Sequence, residues 1–138
     1  LKPIQTPSPG APPPMAPIQK VLLVDDEDDI RTIGQLSLSR VGKWQTVLAA
    51  SGAEALEKAA AEAPDLILLD VMMPGMDGPT TFGRLRAQPA TANTPIIFMT
   101  AKIQKQEVAR YLELGAVGVI GKPFDPMTLP QEIRKLVP

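Results

Sequence analysis

Several short apolar runs in this sequence end in polar side chains that could act together on one phosphoryl group. These side chains are Asp25, Asp26, Asp70, Thr100 and Lys122, and each follows its run directly or within two residues. Short apolar runs of this kind are typical of buried strands. If the strands are parallel, their carboxyl ends meet at one edge of the sheet, where α/β proteins bind ligands. Carboxylates, a hydroxyl and an ammonium group at that edge indicate a phosphoryl-binding pocket.

The stretch APDLILLDVMMPGMDG, residues 63–78, contains the acid at the centre of this pattern. Its apolar run, Leu66–Leu69, is too short for a helix and predicts a buried strand that delivers Asp70. The loop that follows contains Pro74 and Gly75, which turn the backbone. We therefore expect Asp70 at the carboxyl end of a strand.

Three carboxylates at one strand edge repel one another unless a cation lies between them. Asp25, Asp26 and Asp70 therefore predict a bound hard cation, Mg²⁺ or Mn²⁺, which takes oxygen ligands and can bridge to a phosphate. The chain has no histidine and no cysteine. This composition excludes Ser-His triads, thiol catalysis, and zinc sites with histidine or thiolate ligands, and the chain cannot itself carry a phosphohistidine.

The length and charge of the chain restrict the classes of protein to which it can belong. With 138 residues, of which 44% are apolar, the chain suits one globular domain, and no apolar run approaches the length of a membrane span. The 14 basic and 15 acidic side chains are mixed along the sequence, so neither a nucleic-acid surface nor a patch for anionic lipid is indicated. We expect a protein or small-ligand partner, and the lack of cysteine favours a cytoplasmic location.

Residues 1–19 are rich in proline, with Ser, Thr and Gly, and lack the apolar periodicity that a core needs. This composition predicts a polyproline-like leader or interdomain linker without the basic start and apolar core of a signal peptide. Met15 could be a native start behind vector residues, or it could lie inside the linker of a longer protein. We predict that the globular domain comprises residues 20–138.

Apolar runs and helical repeats alternate along this domain and predict five strands and five helices. The predicted strands are Val21–Val24, Thr46–Ala50, Leu66–Leu69, Ile96–Met99 and Val117–Ile120. The predicted helices are Ile30–Val41, Ala53–Ala63, Pro79–Gln88, Gln104–Leu114 and a last helix between Met127 and Val137. The alternation is typical of an α/β protein with a flavodoxin-like, doubly wound (βα)5 parallel sheet in strand order 2-1-3-4-5. The acids would converge at the switch point between strands 1 and 3.

Apolar and small residues at helical spacing predict which side of each helix faces the sheet. In chain order, the residues expected to face inward are Ile30, Ile33, Leu36, Ser37 and Val41, then Ala55, Leu56, Ala59 and Ala60, then Phe82 and Leu85, then Val108, Tyr111, Leu112 and Leu114, and finally Met127, Leu129, Ile133, Leu136 and Val137. Gly42 and Gly115 are expected to end the first and fourth helices.

Each of the polar residues also has a purely structural interpretation. An aspartate that follows a strand often caps the next helix, and this is the expected role of Asp28 and Asp29. Asp77 is expected to form a turn, and Lys122 alone would be a solvated surface cation. Trp44 predicts a partly buried aromatic residue without a functional role. The functional interpretation is favoured because four of the five predicted strands end in groups suited to one ligand.

Four sequence blocks, VLLVDDE, LILLDVMMPGMDG, PIIFMTA and GAVGVIGKPF, occur in the order and spacing found in receiver domains of two-component response regulators. Over about residues 20–137 the chain therefore resembles such a receiver domain, of the kind found in chemotaxis. The resemblance implies that Asp70 accepts a phosphoryl group from the phosphohistidine of a histidine kinase or a histidine phosphotransfer protein. It implies no enzymatic activity beyond Mg²⁺-dependent self-phosphorylation and autodephosphorylation at Asp70.

The resemblance also implies a role for each residue of the predicted pocket. The metal site would be formed by Asp25, Asp26, Asp70 and the backbone carbonyl of Met72. The phosphoryl oxygens would be held by Thr100, the Ala101 amide and Lys122. In that family the peptide bond corresponding to Lys122–Pro123 is cis, a form that only bonds preceding proline adopt at low cost.

One position departs from the pattern of the family. The family has a switch aromatic residue three positions before the pocket lysine, and here that position is Val119. A short, χ1-restricted side chain cannot move inward as a ring would when Thr100 turns toward a phosphoryl group. We therefore expect the response to phosphorylation along Ala101–Gln106 and only weakly along Gln131–Val137. The domain would then contact a downstream protein through the edge of its fourth helix, or act as a phosphoryl shuttle or sink, or as the C-terminal receiver of a hybrid histidine kinase.

Three other classes of protein fit the sequence less well. A phosphatase of the haloacid dehalogenase type also has an aspartate nucleophile after a strand, but it needs a second acid two residues on, where this chain has Met72. An FMN-binding protein would have a phosphate loop rich in glycine and hydroxyl groups where residues 25–27 are all acidic. A degenerate receiver that acts only as a binding module stays open, although Thr100, Lys122 and the acids are intact.

Overall fold

The computed structural model describes residues 17–101 and 103–137. Its strands are β1 (Lys20–Val24), β2 (Gln45–Ala49), β3 (Leu66–Asp70), β4 (Ile96–Thr100) and β5 (Gly118–Gly121). Its helices are α1 (Asp28–Leu36, continued by a π-helical turn over Ser37–Val41), α2 (Gly52–Glu62), α3 (Gly78–Ala87), α4 (Lys105–Leu114) and α5 (Leu129–Leu136), and a short 3₁₀ turn covers Pro89–Thr91. None of the helices in the two described stretches has the length and apolar character needed to cross a membrane. Residues 1–16 of the predicted leader, with the candidate start at Met15, lie outside the described residues.

The five strands form one parallel sheet in the order β2-β1-β3-β4-β5, which confirms the predicted fold and strand order. The strand bounds agree with the predicted bounds to within one residue. Every residue of β3 and β4 is buried because both faces of the sheet are covered. One apolar cluster contains Phe82, Phe98 and Tyr111, and a second contains Leu38 and Ile133.

Helix α1 begins two residues earlier than predicted. Glu27 occupies the N-cap position without a side-chain cap bond, and Asp28 and Asp29 lie in the first helical turn. The expectation that these two aspartates cap the helix is therefore wrong. Acids in the first turn are favoured instead by the positive end of the helix dipole, and Asp28 also forms an ion pair with Arg31.

The side of α1 that faces the sheet also differs from the prediction. Gly34, Ser37 and Leu38 are buried, whereas Ile33 and Leu36 are exposed. Gly34 permits this packing because a Cβ atom there would clash with a leucine side chain of β1. The π-helical turn that follows changes the number of residues per turn, which shifts the phase of the buried stripe. Simple helical spacing could not predict either effect.

Other apolar residues also differ in burial from the prediction. Residues expected to face inward but exposed are Val41, Ala60, Leu112, Leu114 and Met127. In α4 the ring of Tyr111 fills the space beside the sheet, so the neighbouring leucines stay at the surface. Trp44 is buried rather than partly buried, and the guanidinium of Arg134 lies 4.6 Å from the centre of its ring.

Side-chain caps begin the two helices that flank β3. Ser51 Oγ accepts a hydrogen bond from the Glu54 amide at the start of α2. Asp77 Oδ1 accepts one from the Thr80 amide at 2.8 Å, so Asp77 caps α3 rather than only forming a turn. Gly115 ends α4 with a positive φ of 116°, as predicted.

Candidate functional site

The residues that the sequence predicted to form a pocket meet at the carboxyl edge of the sheet. The last pair between β1 and β3 comes directly before Asp25 and Asp70, so these two aspartates lie side by side at the carboxyl ends of adjacent strands. The Lys122 amide donates a hydrogen bond to the Thr100 carbonyl at 2.9 Å, which extends the ladder between β4 and β5 beyond the last strand residue. Four strands therefore deliver their polar side chains to one edge.

Three carboxylates form a cluster at this edge. One oxygen from each of Asp25, Asp26 and Asp70 lies within 4.8 Å of the others, and Asp26 is exposed while the other two are buried. Asp70 Oδ2 is buried and has no hydrogen-bond partner among the described residues. A buried carboxylate oxygen without a donor is costly in a protein that binds nothing there. The donor set and the unpaired oxygen therefore fit a hard cation such as Mg²⁺.

Asp25 is fully buried and is held from three directions. Its Oδ2 accepts a hydrogen bond from Lys122 Nζ at 2.8 Å, and its Oδ1 accepts one from the Glu27 amide at 2.9 Å. Its backbone carbonyl accepts a hydrogen bond from the Arg31 guanidinium at 2.7 Å. This carboxylate is therefore fixed in position before any ligand binds.

Lys122 neutralises part of the negative charge of the cluster. Its Nζ lies 2.8 Å from Asp25, 3.4 Å from Asp70 and 3.7 Å from Glu27, and its side chain is only 11% exposed. Burial lowers the pKa of Lys122, but the hydrogen bond and charge of Asp25, with the charges of Asp70 and Glu27, outweigh burial and raise the pKa overall. Lys122 is thus a charged pocket residue and not a solvated surface cation. The bond to Pro123 is cis, as the resemblance implied.

The environment of Asp70 disfavours ionisation of its carboxyl group. Burial, with the nearby charge of Asp25, raises the pKa of Asp70 to about 6, against the lowering effects of Lys122 and of the Met72 amide. Asp70 is 3% exposed. At neutral pH the group is still ionised, so it can act as a nucleophile, but its charge is poorly compensated.

A cavity of about 320 Å³ opens onto the Asp70 carboxylate. Its walls include Lys122 and Ala101, together with the apolar side chains of Ile30, Met72 and Pro123. Thr100 is buried at the end of β4, beside Ala101. The structure therefore brings the three acids, Lys122, Met72 and Ala101 together at this edge, whereas Thr100 lines a neighbouring cavity that shares Met72 and Ala101 with this one.

Sequence reasoning missed three residues that shape this site. Glu27 pairs with Lys122, Arg31 binds the Asp25 carbonyl, and Ile30 lines the cavity. All three lie in the turn between β1 and α1 or in the first turns of that helix. The acidic run at residues 25–27 was a signal for Glu27, but nothing in the spacing indicated that Arg31 folds back over the strand end.

Asp26 is expected to contribute directly to metal affinity. We expect Asp26→Ala to weaken Mg²⁺ binding at least about tenfold, because even loss of an outer group at a metal site has such an effect. Isothermal titration calorimetry of the two proteins measures the change. Asp29→Ala removes an exposed acid of the same helical turn outside the cluster and should leave the affinity unchanged. Equal affinity in Asp26→Ala and the unsubstituted protein would remove Asp26 from the set of ligands.

Comparisons with known proteins agree on one family. Residues 21–134 match the family model described as the response regulator receiver domain. The alkaline phosphatase synthesis transcriptional regulatory protein PhoP of Bacillus subtilis is 40% identical over 119 residues, and the transcriptional regulatory protein CseB of Streptomyces coelicolor is 38% identical over 123 residues. The alignments cover 86% and 89% of this chain but 48% and 51% of those proteins. The chain thus spans about half the length of the curated relatives it matches.

Solved structures show the same similarity. The chemotaxis protein CheY4 of Vibrio cholerae superposes with a TM-score of 0.80 at 34% identity, covering 88% of this chain and 100% of that one. A signal receiver domain of a signal transduction histidine kinase from Syntrophus aciditrophicus gives a TM-score of 0.73 at 32% identity, covering 86% and 89% of the two chains.

Proposed function

The chain belongs to the family of response regulator receiver domains, and from that membership we propose that Asp70 is its phosphoacceptor. The donor is the phosphohistidine of a histidine kinase or of a histidine phosphotransfer protein. The phosphorylated domain then signals by contact with a downstream protein. Residues 20–138 form the receiver domain in this proposal, and residues 1–19 are a leader or linker.

The observation that carries this proposal is the state of the Asp70 carboxylate. Its Oδ2 is buried without a hydrogen-bond partner in the described part of the chain, and its Oδ1 lies 3.4 Å from Lys122 Nζ. A buried aspartate with a structural role would have both oxygens paired. An unpaired carboxylate oxygen at the wall of a cavity supports the role of a nucleophile instead.

In the proposed reaction an oxygen of Asp70 attacks phosphorus opposite the bond to the imidazole nitrogen. A P–O bond forms and the P–N bond breaks, with its electron pair staying on the imidazole, which takes up a proton from solvent. The products are an aspartyl phosphate and a histidine. Lys122 stabilises the negative charge on the phosphoryl oxygens, and the Thr100 hydroxyl and the Ala101 amide donate hydrogen bonds to them.

The carboxylate cluster would hold Mg²⁺ or Mn²⁺ in this proposal. The ligands are Asp25, Asp26, Asp70 and the backbone carbonyl of Met72. When bound, the ion supplies positive charge beside the phosphoryl oxygens and the attacking carboxylate. Asp25 is held in place for this role by its hydrogen bonds to Lys122 and to the Glu27 amide.

The mouth of the Asp70 cavity supports a protein as the phosphoryl donor. Ile30, Met72 and Pro123 give it apolar walls, and the Met72 side chain is 76% exposed. Covering such side chains with a partner surface is favourable, because it removes apolar area from water.

A receiver within a hybrid histidine kinase, or a phosphoryl shuttle or sink, is the second candidate function, because a receiver domain of a histidine kinase is among the similar structures. The cytoplasmic location stays a prediction.

Phosphorylation of the purified chain tests the proposal. After incubation with acetyl phosphate and Mg²⁺, intact mass spectrometry should detect one added phosphoryl group, and EDTA should prevent the addition. Asp70→Ala should not be modified. Asp77→Asn is the matched control, because it removes an acid from the same loop while keeping a residue that can cap α3.

Three outcomes would contradict the proposal. Modification that persists in Asp70→Ala would place the phosphoryl group elsewhere, and modification in EDTA would exclude a role for the metal. A chain that folds but takes up no phosphoryl group from acetyl phosphate or from a histidine phosphotransfer protein would instead support a module that only binds.

A further inference from the structure

A second cavity, of about 360 Å³, lies beside the proposed phosphoryl pocket. Its walls include Thr100 and Ala101 from the end of β4, and Glu107 and Tyr111 from α4. It therefore adjoins a residue proposed to hold the phosphoryl oxygens and the helix that follows. Movement of Thr100 would change the shape of a space that α4 also lines.

Tyr111 is the aromatic residue in the wall of this cavity. It is 4% exposed, and its ring centre lies 4.8 Å from that of Phe98. Phe98 and Thr100 are two residues apart on β4, so their side chains lie on the same side of the sheet. The Tyr111 ring therefore packs against the side of β4 on which Thr100 lies.

Val119 occupies the same side of the sheet on the neighbouring strand. It pairs with Phe98 in the register between β4 and β5, and it packs against the cluster that contains Tyr111. Its side chain is short and restricted at χ1. The rings that pack on Phe98 thus come from α3 and α4, as Phe82 and Tyr111, and β5 contributes only the short side chain of Val119.

A hydrogen bond connects the Tyr111 ring to the start of α4. The hydroxyl donates to Glu107 Oε2 at 3.1 Å, and Glu107 lies in the first turn of the helix. Burial, with the hydrogen bond to Glu107, raises the pKa of Tyr111, so the hydroxyl remains a donor at neutral pH. A displacement of the Tyr111 ring would therefore act on the first turn of α4.

We propose that Tyr111 is the positioning residue through which the state of Thr100 reaches α4. When Thr100 turns toward a phosphoryl group, the Tyr111 ring shifts into the space that the cavity provides, and the first turn of α4 shifts with it. The two arrangements differ in the contacts of the ring, which is the differential interaction that a population shift needs. This inference rests on the proposed function, because the phosphoryl group at Asp70 is the signal.

The ring itself offers a direct measurement, because Tyr111 is the only tyrosine in the chain. Protein labelled with 3-fluorotyrosine gives one ¹⁹F resonance, which we expect to shift when beryllofluoride and Mg²⁺ are added. The shift should be absent when Mg²⁺ is added alone and absent in Asp70→Asn. A resonance that stays in place while beryllofluoride binds would overturn the inference.

A substitution series tests transmission to the helix. In Tyr111→Phe, which keeps the ring but loses the hydrogen bond to Glu107, beryllofluoride should still perturb the amide resonances of α4, with smaller shifts in its first turn. In Tyr111→Leu those perturbations should fall to the level seen in α2, while the amides of the Asp70 loop still respond. Leu112→Ala, an exposed position on the same helix, is the control and should behave like the unsubstituted protein. An α4 response in Tyr111→Leu equal to that of the control would overturn the inference.

The same spectra separate this inference from the proposed function. If beryllofluoride with Mg²⁺ perturbs no amide around Asp70, the phosphoacceptor assignment fails and the coupling fails with it. If the Asp70 loop responds but the Tyr111 resonance does not, the phosphoacceptor stands and only the coupling is wrong. Perturbations along Gln131–Val137 as large as those in α4 would show that the signal also crosses β5 despite Val119.

Discussion

Asp70→Asn is expected to stabilise the metal-free protein at neutral pH by about 2–3 kcal/mol. The unfolded chain ionises this carboxyl near its ordinary pKa of 3.8, whereas the pKa in the fold is about 6. Each pKa unit of difference corresponds to about 1.4 kcal/mol of folding free energy. Because the pKa is higher in the folded state, the ionised carboxylate opposes folding. Asparagine has nearly the same shape and carries no charge to bury. Lys122 keeps its closer partner, Asp25, in the variant.

The free energy of unfolding of the unsubstituted protein should depend on pH in a way that Asp70→Asn does not share. Between about pH 4 and pH 6 the folded protein holds a proton on Asp70 that the unfolded chain has lost. The free energy of unfolding of the unsubstituted protein therefore falls as the pH rises through this window. Asp70→Asn lacks that fall, so the two proteins should be similar below about pH 4 and differ fully above about pH 6.

Urea unfolding in EDTA at a series of pH values measures this difference. Asp77→Asn is a suitable control, because hydrogen bonds from Thr80 lower the pKa of Asp77, and its removal should not stabilise the protein. Equal stability of Asp70→Asn and the unsubstituted protein at pH 7 would contradict the prediction, as would a difference that does not vary with pH. Mg²⁺ should stabilise the unsubstituted protein more than Asp70→Asn, since a ligand stabilises the state that binds it.

The sheet and its polar edge could be predicted from the sequence because their signals are local. A run of four apolar residues between turn-forming residues indicates a buried strand, and the next residue, such as Asp25 or Asp70, is then at its carboxyl end. The strand order followed from the number of alternating strands and helices. No knowledge of side-chain packing was needed for these inferences.

The features that sequence reasoning missed all depend on tertiary contacts. Ile33 and Leu36 are apolar and correctly spaced, but the close approach of α1 to the sheet at Gly34 turned them outward. Tyr111 was expected to be buried, yet its contact with Phe98 and its place beside Thr100 depend on how α4 lies over β4. Side-chain direction at a pocket is likewise set by neighbours from other strands.

Lys122 illustrates that last point and leads to the second large expected effect. The sequence does not predict where the side chain of a lysine after a strand points. In the structure, Lys122 Nζ lies 2.8 Å from a fully buried carboxylate, that of Asp25. Lys122→Met keeps an unbranched side chain that is one atom shorter and removes the charge. We expect it to destabilise the metal-free protein by about 3–5 kcal/mol, the cost of leaving a buried charge without its partner.

A double-mutant cycle separates loss of charge pairing from loss of packing. In the background Asp25→Asn, where no buried charge remains at that position, Lys122→Met should cost much less in urea unfolding with EDTA. Lys58→Met is the control, since Lys58 pairs with Glu54 at the surface and should contribute within about 1 kcal/mol. A cost for Lys122→Met no larger than that of Lys58→Met would show that Asp25 does not depend on Lys122. An equal cost in both backgrounds would show that the charge of Asp25 plays no part in the effect, and would assign it to packing and to the pairs of Lys122 with Asp70 and Glu27.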